Sequence, residues 1–297
     1  MRILIFGGTG MLGHKLVRQW RDEFKVFSTV RGDFSKYKRA GLFEKDEIIS
    51  PVEVEDIESV RNAVKISQPE VIVNCVGIIK QLPTSKNVIK TLSVNSIFPH
   101  RLAEIAQENN ARLITISTDC VFNGKKGNYG EADVSDAEDV YGKSKNLGEI
   151  LSENCLTIRT SIIGRELETA HSLVEWFLSN RGGKVRGFTK AVYSGFPTII
   201  LAEIIAGLIV KHKNLSGLYH VSSEPIDKYR LLCMIRDAYQ QDVEIEPSDE
   251  FRIDRSLDSS KFRQATGFIP ESWEEMIKKM ARDSFPYEEV RKQLITG

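Results

Sequence analysis

Short apolar runs recur along the first half of the chain, each followed by a stretch with helical spacing. Residues 2–6 (RILIF), 25–29 (KVFST), 71–77 (VIVNCVG), 112–117 (RLITIS) and 156–160 (LTIRT) are apolar without alternation, the pattern of strands buried on both faces of a parallel sheet. After the first run, Leu12, Leu16, Val17 and Trp20 fall on one helical face. A second helix is predicted to start at an Asp56 cap and stop near Ser67, before Pro69, and a third to cover residues 91–108. Strand and helix in alternation, with short links, predict an α/β fold built on a doubly wound parallel sheet. Residues 34–58 read as charged and irregular. Beyond residue 160 the alternation fails: residues 168–180, the turn at 181–186 and much of 222–297 read as a smaller α/β domain closing over a substrate. A helix over 199–210 and a strand over 217–221 are predicted to return to the first sheet. The expected division is therefore discontinuous: 1–160 plus about 195–221 for a nucleotide-binding domain, and about 161–194 plus 222–297 for a substrate domain.

Composition narrows the class. With 297 residues, 41% hydrophobic and 28% charged, the chain has the makeup of a globular protein with a substantial core. Lys+Arg and Asp+Glu balance at 41 each, so no global field favours nucleic acid or an anionic membrane, and neither is expected as a partner. Cys75, Cys120, Cys155 and Cys233 are scattered without metal-ligand spacing and read as reduced thiols; no metal site is expected. No apolar run reaches membrane-spanning length and no signal peptide is visible, so the expected location is cytoplasmic.

The candidate chemistry lies at the carboxyl ends of the strands. Gly7, Gly10 and Gly13 form a GxxGxxG turn between the first strand and first helix, where backbone amides accept a pyrophosphate. Thr9, Met11 and Leu12 lie in the same turn; its alternative role is a purely structural strand–helix corner. Arg31, past the second strand, occupies the region where an acidic residue selects the non-phosphorylated cofactor. A guanidinium there suits a 2′-phosphate, or is a surface arginine. Asp56 and Ile57 are candidates for the adenine end, Asp56 serving equally as a helix cap. Cys75, Val76 and Gly77 end a strand where a cofactor needs room, and Lys80 follows as a candidate substrate contact. Asn95 is expected to tie helix to sheet, the alternative being to organise water at the site. Tyr141 and Lys145, four apart, share a helical face. A lysine ammonium beside a phenol lowers its pKa and fits it for proton exchange, with Thr118 offering a hydroxyl to the same oxygen. The plain alternative is a solvated helix face.

The motifs GGTGMLG, STDCVF (117–122) and YGKSK (141–145) in this order resemble the extended short-chain dehydrogenase/reductases, in the branch of dTDP-4-dehydrorhamnose reductase. The likeness continues through Tyr129-Gly-Glu131, Arg159-Thr-Ser161, Ser194-Gly-Phe196, Gly217-Leu-Tyr-His-Val221 and Ser256-Leu-Asp258. It implies a Rossmann-type sheet, NADPH as cofactor (NADH possible), and reduction of the 4-keto group of a nucleotide-diphosphate sugar for surface polysaccharide. It also implies that Thr118, Tyr141 and Lys145 are catalytic: Tyr141 donates the proton, Lys145 binds the nicotinamide ribose and tunes Tyr141, and Thr118 positions the carbonyl. Arg159 is expected to line the nicotinamide pocket. The substrate is expected to meet Lys80, Thr118, Asp119, Cys120, Arg186 and Ser194, with Lys184 and Lys190 near its diphosphate and Trp176 or Tyr193 as a stacking face. A related dehydratase would carry glutamate where Cys120 stands, so dehydration is disfavoured. Cys120 also departs from the branch, which has tyrosine there. It is either a small buried side chain or, paired with His171, the proton shuttle of an epimerase–reductase. UDP-4-keto-6-deoxy-GlcNAc (giving UDP-QuiNAc) and dTDP-4-dehydrorhamnose are the substrates weighed, a homodimer is possible, and an NADP-binding regulatory subunit is the alternative outside catalysis.

Overall fold

The structure is a computed structural model that describes residues 1–39 and 41–296, without the side chains of Lys36, Arg39, Lys45, Ile295 and Thr296. Its strands are β1 (Arg2–Phe6), β2 (Lys25–Thr29), β3 (Ile48–Ile49), β4 (Val71–Asn74), β5 (Arg112–Thr118) and β6 (Cys155–Thr160) in the first half. They are followed by β7 (Ile162–Ile163), β8 (Lys184–Tyr193), β9 (Phe196–Pro197), β10 (Gly217–His220), β11 (Ile226–Asp227) and β12 (Glu244–Asp254). Seven of them form one sheet in the order β10-β6-β5-β4-β1-β2-β3, every pair parallel. The order reverses between β1 and β4, which opens a crevice at their carboxyl ends.

Burial on both faces explains the uninterrupted apolar runs. Along β1, Leu4 and Phe6 face one layer with Val60, Val64, Phe98 and Leu102 from the Ile57–Ser67 and Phe98–Glu108 helices. Ile3 and Ile5 face the other, with Leu16 and Trp20 of the Gly13–Trp20 helix and Leu201 and Ile205 of the Thr198–Val210 helix. That second core continues without a break into Phe177, Val185, Leu231, Met276 and Tyr287 of the smaller domain. The smaller sheet has the order β11-β8-β12, with β11 antiparallel and β12 parallel to β8. β7 and β9 make a separate parallel pair.

Two stretches differ from the sequence expectation. Residues 34–58 contain a short helix (Ser35–Arg39) and the edge strand β3, too brief to leave a period in the sequence. The helix expected over 91–108 is three pieces: Val88–Leu92, a π-helical turn Ser93–Ile97, and Phe98–Glu108 with Pro99 in its first turn. A π turn inserts a residue and so redirects a side chain, here Asn95.

Candidate active site

The glycine turn takes the shape that a dinucleotide needs. Gly7 sits at φ +87°, and a Cβ on Gly13 would lie 2.1 Å from the Gly7 carbonyl oxygen, so both positions exclude a side chain. Gly10 N–H closes the turn on the Gly7 carbonyl at 3.0 Å, while the Thr9, Met11 and Leu12 amides have no partner among the described residues. No acidic side chain lies in the first helical turn to compete for them. The turn packs against Cys75 and Val76 at the end of β4. Beyond them a Cβ on Gly77 would meet nothing nearer than Asn95 Oδ1 at 3.5 Å and Lys145 Nζ at 3.9 Å, a cradle that leads from the glycine turn to Lys145. These residues fit a nicotinamide dinucleotide. Arg31 is exposed beyond β2, and Asp56 caps its helix by accepting from Glu58 N at 3.1 Å while Ile57 begins that helix.

β5 delivers Thr118 to the same rim, and a one-turn 3-10 helix over Asp119–Val121 follows it. Asp139 caps the Val140–Leu147 helix by accepting from Gly142 N, and that helix carries Tyr141 and Lys145. A Cβ on Gly142 would stand 2.2 Å from the Cys120 carbonyl oxygen; its absence lets the helix press against the turn and brings Tyr141 beside Thr118. Asn95, redirected by the π turn, accepts from Ile78 N at 2.8 Å and donates to Ile78 O and Ser144 Oγ, fastening the loop after β4 to the same helix. This is the structural role expected of it.

The electrostatics correct one expectation. Burial, then Cys120, raises the Tyr141 phenol well above its ordinary range; the Thr118 hydroxyl beside it opposes this, and Asp119 and Asp139 add to the rise. The Lys145 ammonium is held by a different acceptor. Its ammonium donates to the Ile116 carbonyl at 2.7 Å, and burial brings it down to about 8 against the pull of Glu149 and Cys75. Burial and then Asp119 push the Cys120 thiol up to about 12, and burial pushes Cys75 to about 12 against Lys145.

Several expected contacts are engaged elsewhere. Arg159 does not offer its guanidinium to a cofactor: it forms a buried bidentate pair with Glu149 (2.8 and 2.7 Å) and reaches Ser135 and His220. Arg186, Lys184 and Lys190 are engaged by acids of the neighbouring strand β12: Glu250, Glu244 with Glu246, and Asp249, the first and last of these from its irregular stretch between Ser248 and Arg252. His171 is exposed, its backbone amide held by Glu166, and nothing joins it to Cys120 among the described residues. Trp176 is exposed on the Leu173–Leu178 helix. Ser194 is buried, its hydroxyl accepting from Leu257 N at 3.0 Å. Lys80 pairs with the Asp139 cap at 2.7 Å, on the rim.

The smaller domain supplies groups that the sequence reading missed. Arg255, just past β12, donates through Nε to the Phe122 carbonyl at 2.8 Å and through Nη1 to Cys120 Sγ at 3.7 Å. Lys228 opens the Lys228–Ala238 helix within electrostatic reach of Asp119 and Cys120. Burial, then Asp119, raises the Tyr193 phenol, against the pull of Ser161 beside it. The signal for Arg255 was its place beside the Ser256-Leu-Asp258 motif; for Lys228 there was none beyond a helix start.

The dTDP-4-dehydrorhamnose reductase of Aggregatibacter actinomycetemcomitans is 28% identical over 94% of this chain and 98% of its own. The methionine adenosyltransferase 2 subunit beta of Danio rerio is 27% identical over 80% of this chain and 74% of its own. The Bacillus anthracis dTDP-4-dehydrorhamnose reductase, solved in complex with NADP, shares the fold at a TM-score of 0.75, covering 94% of this chain and 98% of that one at 21% identity. Residues 1–285 match the family of the RmlD substrate binding domain, and the chain belongs to that family.

Proposed function

We propose that the protein is an NADPH-dependent reductase of the 4-keto group of a nucleotide-diphosphate 6-deoxy sugar, UDP- or dTDP-linked, serving polysaccharide synthesis. The observation that carries this reading is the convergence of Thr118 and Tyr141 on one wall, with Lys145 one turn away facing the cradle at Gly77. When bound, the cofactor supplies the hydride. Gly7 to Gly13 would hold its pyrophosphate, Arg31 a 2′-phosphate, and Lys145 the nicotinamide ribose. Tyr141 keeps its proton at neutral pH and gives it to the alkoxide as that charge develops, alkoxide being the stronger base. Thr118 orients the oxygen.

The chain's relatives include a subunit of another enzyme, which keeps a non-catalytic NADP-binding role in view. The complete Thr118, Tyr141 and Lys145 set favours turnover. Epimerisation through Cys120 has no comparable support, since a thiol held near 12 is a poor base at neutral pH and His171 has no tie to it. The test is NADPH oxidation with a panel of UDP- and dTDP-linked 4-keto sugars, products assigned by NMR. Tyr141→Phe is expected to lower kcat by about 10²–10⁴-fold, the range for a general acid. Turnover unchanged in that variant would remove Tyr141 as the acid, and no turnover with any sugar would leave the binding role.

A further inference from the structure

The Thr118 hydroxyl, which the reductase reading needs as a donor to the substrate oxygen, is engaged. It has one proton, and that proton is directed at Asp119 Oδ1 at 3.1 Å, while its oxygen accepts from Cys120 N at 3.1 Å. Asp119 is buried next to it. Its charged and titratable neighbours are Cys120 on its own turn, Tyr141 on the Val140–Leu147 helix, Tyr193 at the end of β8, and Lys228 and Arg255 from the smaller domain. Of the two cations, Arg255 is already anchored on Phe122 and Cys120. The Lys228 ammonium makes no hydrogen bond or ion pair among the described residues, although the residue is half-buried. An ammonium withdrawn from water without an acceptor is unfavourable. A carboxylate with spare lone pairs stands within its electrostatic reach.

We propose that Lys228, supported by Arg255, takes hold of the Asp119 carboxylate when the smaller domain closes on substrate, and so turns the Thr118 proton from Asp119 to the reacting oxygen. Lys228 is then a positioning residue: it acts on the reaction through Asp119 and Thr118. Closure of the smaller domain and readiness of the oxygen-binding hydroxyl become one event. The direction of the electrostatics agrees. Burial raises the Asp119 carboxyl, and Arg255, the hydrogen bonds of Cys120 and Thr118, and Lys228 all draw it back toward the ionised form.

This inference rests on the reductase reading for its kinetic test and has a second test that does not. Lys228→Met should lower kcat by about 10- to 100-fold, the weight of one charge-assisted hydrogen bond, with the KM for NADPH unchanged. Removing the cation raises the Asp119 pKa, and Lys228→Arg should restore both the rate and the Asp119 titration. A variant in which only the sugar KM rises would make Lys228 a direct substrate contact and overturn the proposal. Independently of turnover, ¹³C-carboxyl NMR of the NADP-loaded protein, with Asp119 assigned through Asp119→Asn, should show Asp119 titrating at higher pH in Lys228→Met than in the parent. An unchanged Asp119 titration sinks the proposal even where the reductase activity stands. If no sugar is reduced, the reductase reading falls, and the carboxyl titration still decides whether Lys228 governs Asp119.

Discussion

In the proposed reaction the acid must hold its proton until the alkoxide forms, and the raised Tyr141 phenol suits that role. Its phenol is raised by burial and by Cys120, where the sequence had pointed to a phenol lowered by Lys145. The difference lies in the partner that the ammonium takes. The spacing of four puts both side chains on one face, but whether an ammonium points at a phenol depends on what else it can reach, and Lys145 reaches the Ile116 carbonyl. The consequence is a basic limb belonging to Lys145. Burial brings its ammonium to about 8, so kcat/KM for NADPH should be full below that pH and fall as the pH rises through it, the charge proposed to hold the ribose being lost. Lys145→Arg should shift the limb out of the measurable range, and a flat profile to pH 10 in the parent would contradict the assignment. Thr118, Tyr141 and Lys145 were legible as candidates because short local motifs carry them. Lys228 and Arg255 were not, because their nearness to Asp119 is created by packing between segments more than a hundred residues apart.

At the scale of elements, the Val140–Leu147 helix is held by what lies beneath it. Glu149, just past its end, accepts from Ser117 Oγ at 2.6 Å and from both arms of Arg159, and Arg159 in turn reaches His220 on β10. His220 is fixed by Tyr129 and Glu131, so these motifs meet one another beneath the helix. The Glu149 and Arg159 side chains are only 7% and 5% exposed. A pair so buried contributes little beyond a well-packed apolar pair, yet breaking it on one side is costly. Glu149→Ala should therefore lower stability by about 3–5 kcal/mol, read by urea denaturation, and lower activity by loosening the helix that bears Tyr141. Loss below about 1 kcal/mol would mean that water or another acid takes Glu149's place, and would detach this network from the site. The pairing was half-visible: Glu149 lies four residues past Lys145. Its partner Arg159, in the Arg-Thr-Ser motif, reads from sequence alone as a cofactor contact, because nothing local shows that β6 delivers its side chain beneath the helix.

Across the whole molecule, the glycine turn is fastened to the far end of the chain. His14 bonds the Gly10 carbonyl through Nδ1 at 2.8 Å and the Tyr287 hydroxyl through Nε2 at 3.0 Å, and Lys15 pairs with Asp283. The apolar core on that face runs from Ile3 and Ile5 through Leu201 and Leu231 to Tyr287 and Val290 without interruption. The nucleotide sheet and the smaller domain thus share one interior, and neither can lose its packing alone. Heating should give one transition, with fluorescence and circular dichroism coincident. NADPH bound to the turn stabilises that single folded state by mass action: at about 100 times its Kd the gain is about 2.7 kcal/mol. The expected result is an upward shift of the entire transition with its shape kept, larger for NADPH than for NADH, the difference shrinking in Arg31→Ala because that side chain would meet the extra phosphate. Two separate transitions, with only the earlier one moved by NADPH, would mean that the bonds from His14 and Lys15 to the C-terminal segment do not couple the halves. The cofactor would then organise its own sheet without reaching the cations of the smaller domain, and closure would have to draw its energy from the sugar nucleotide alone.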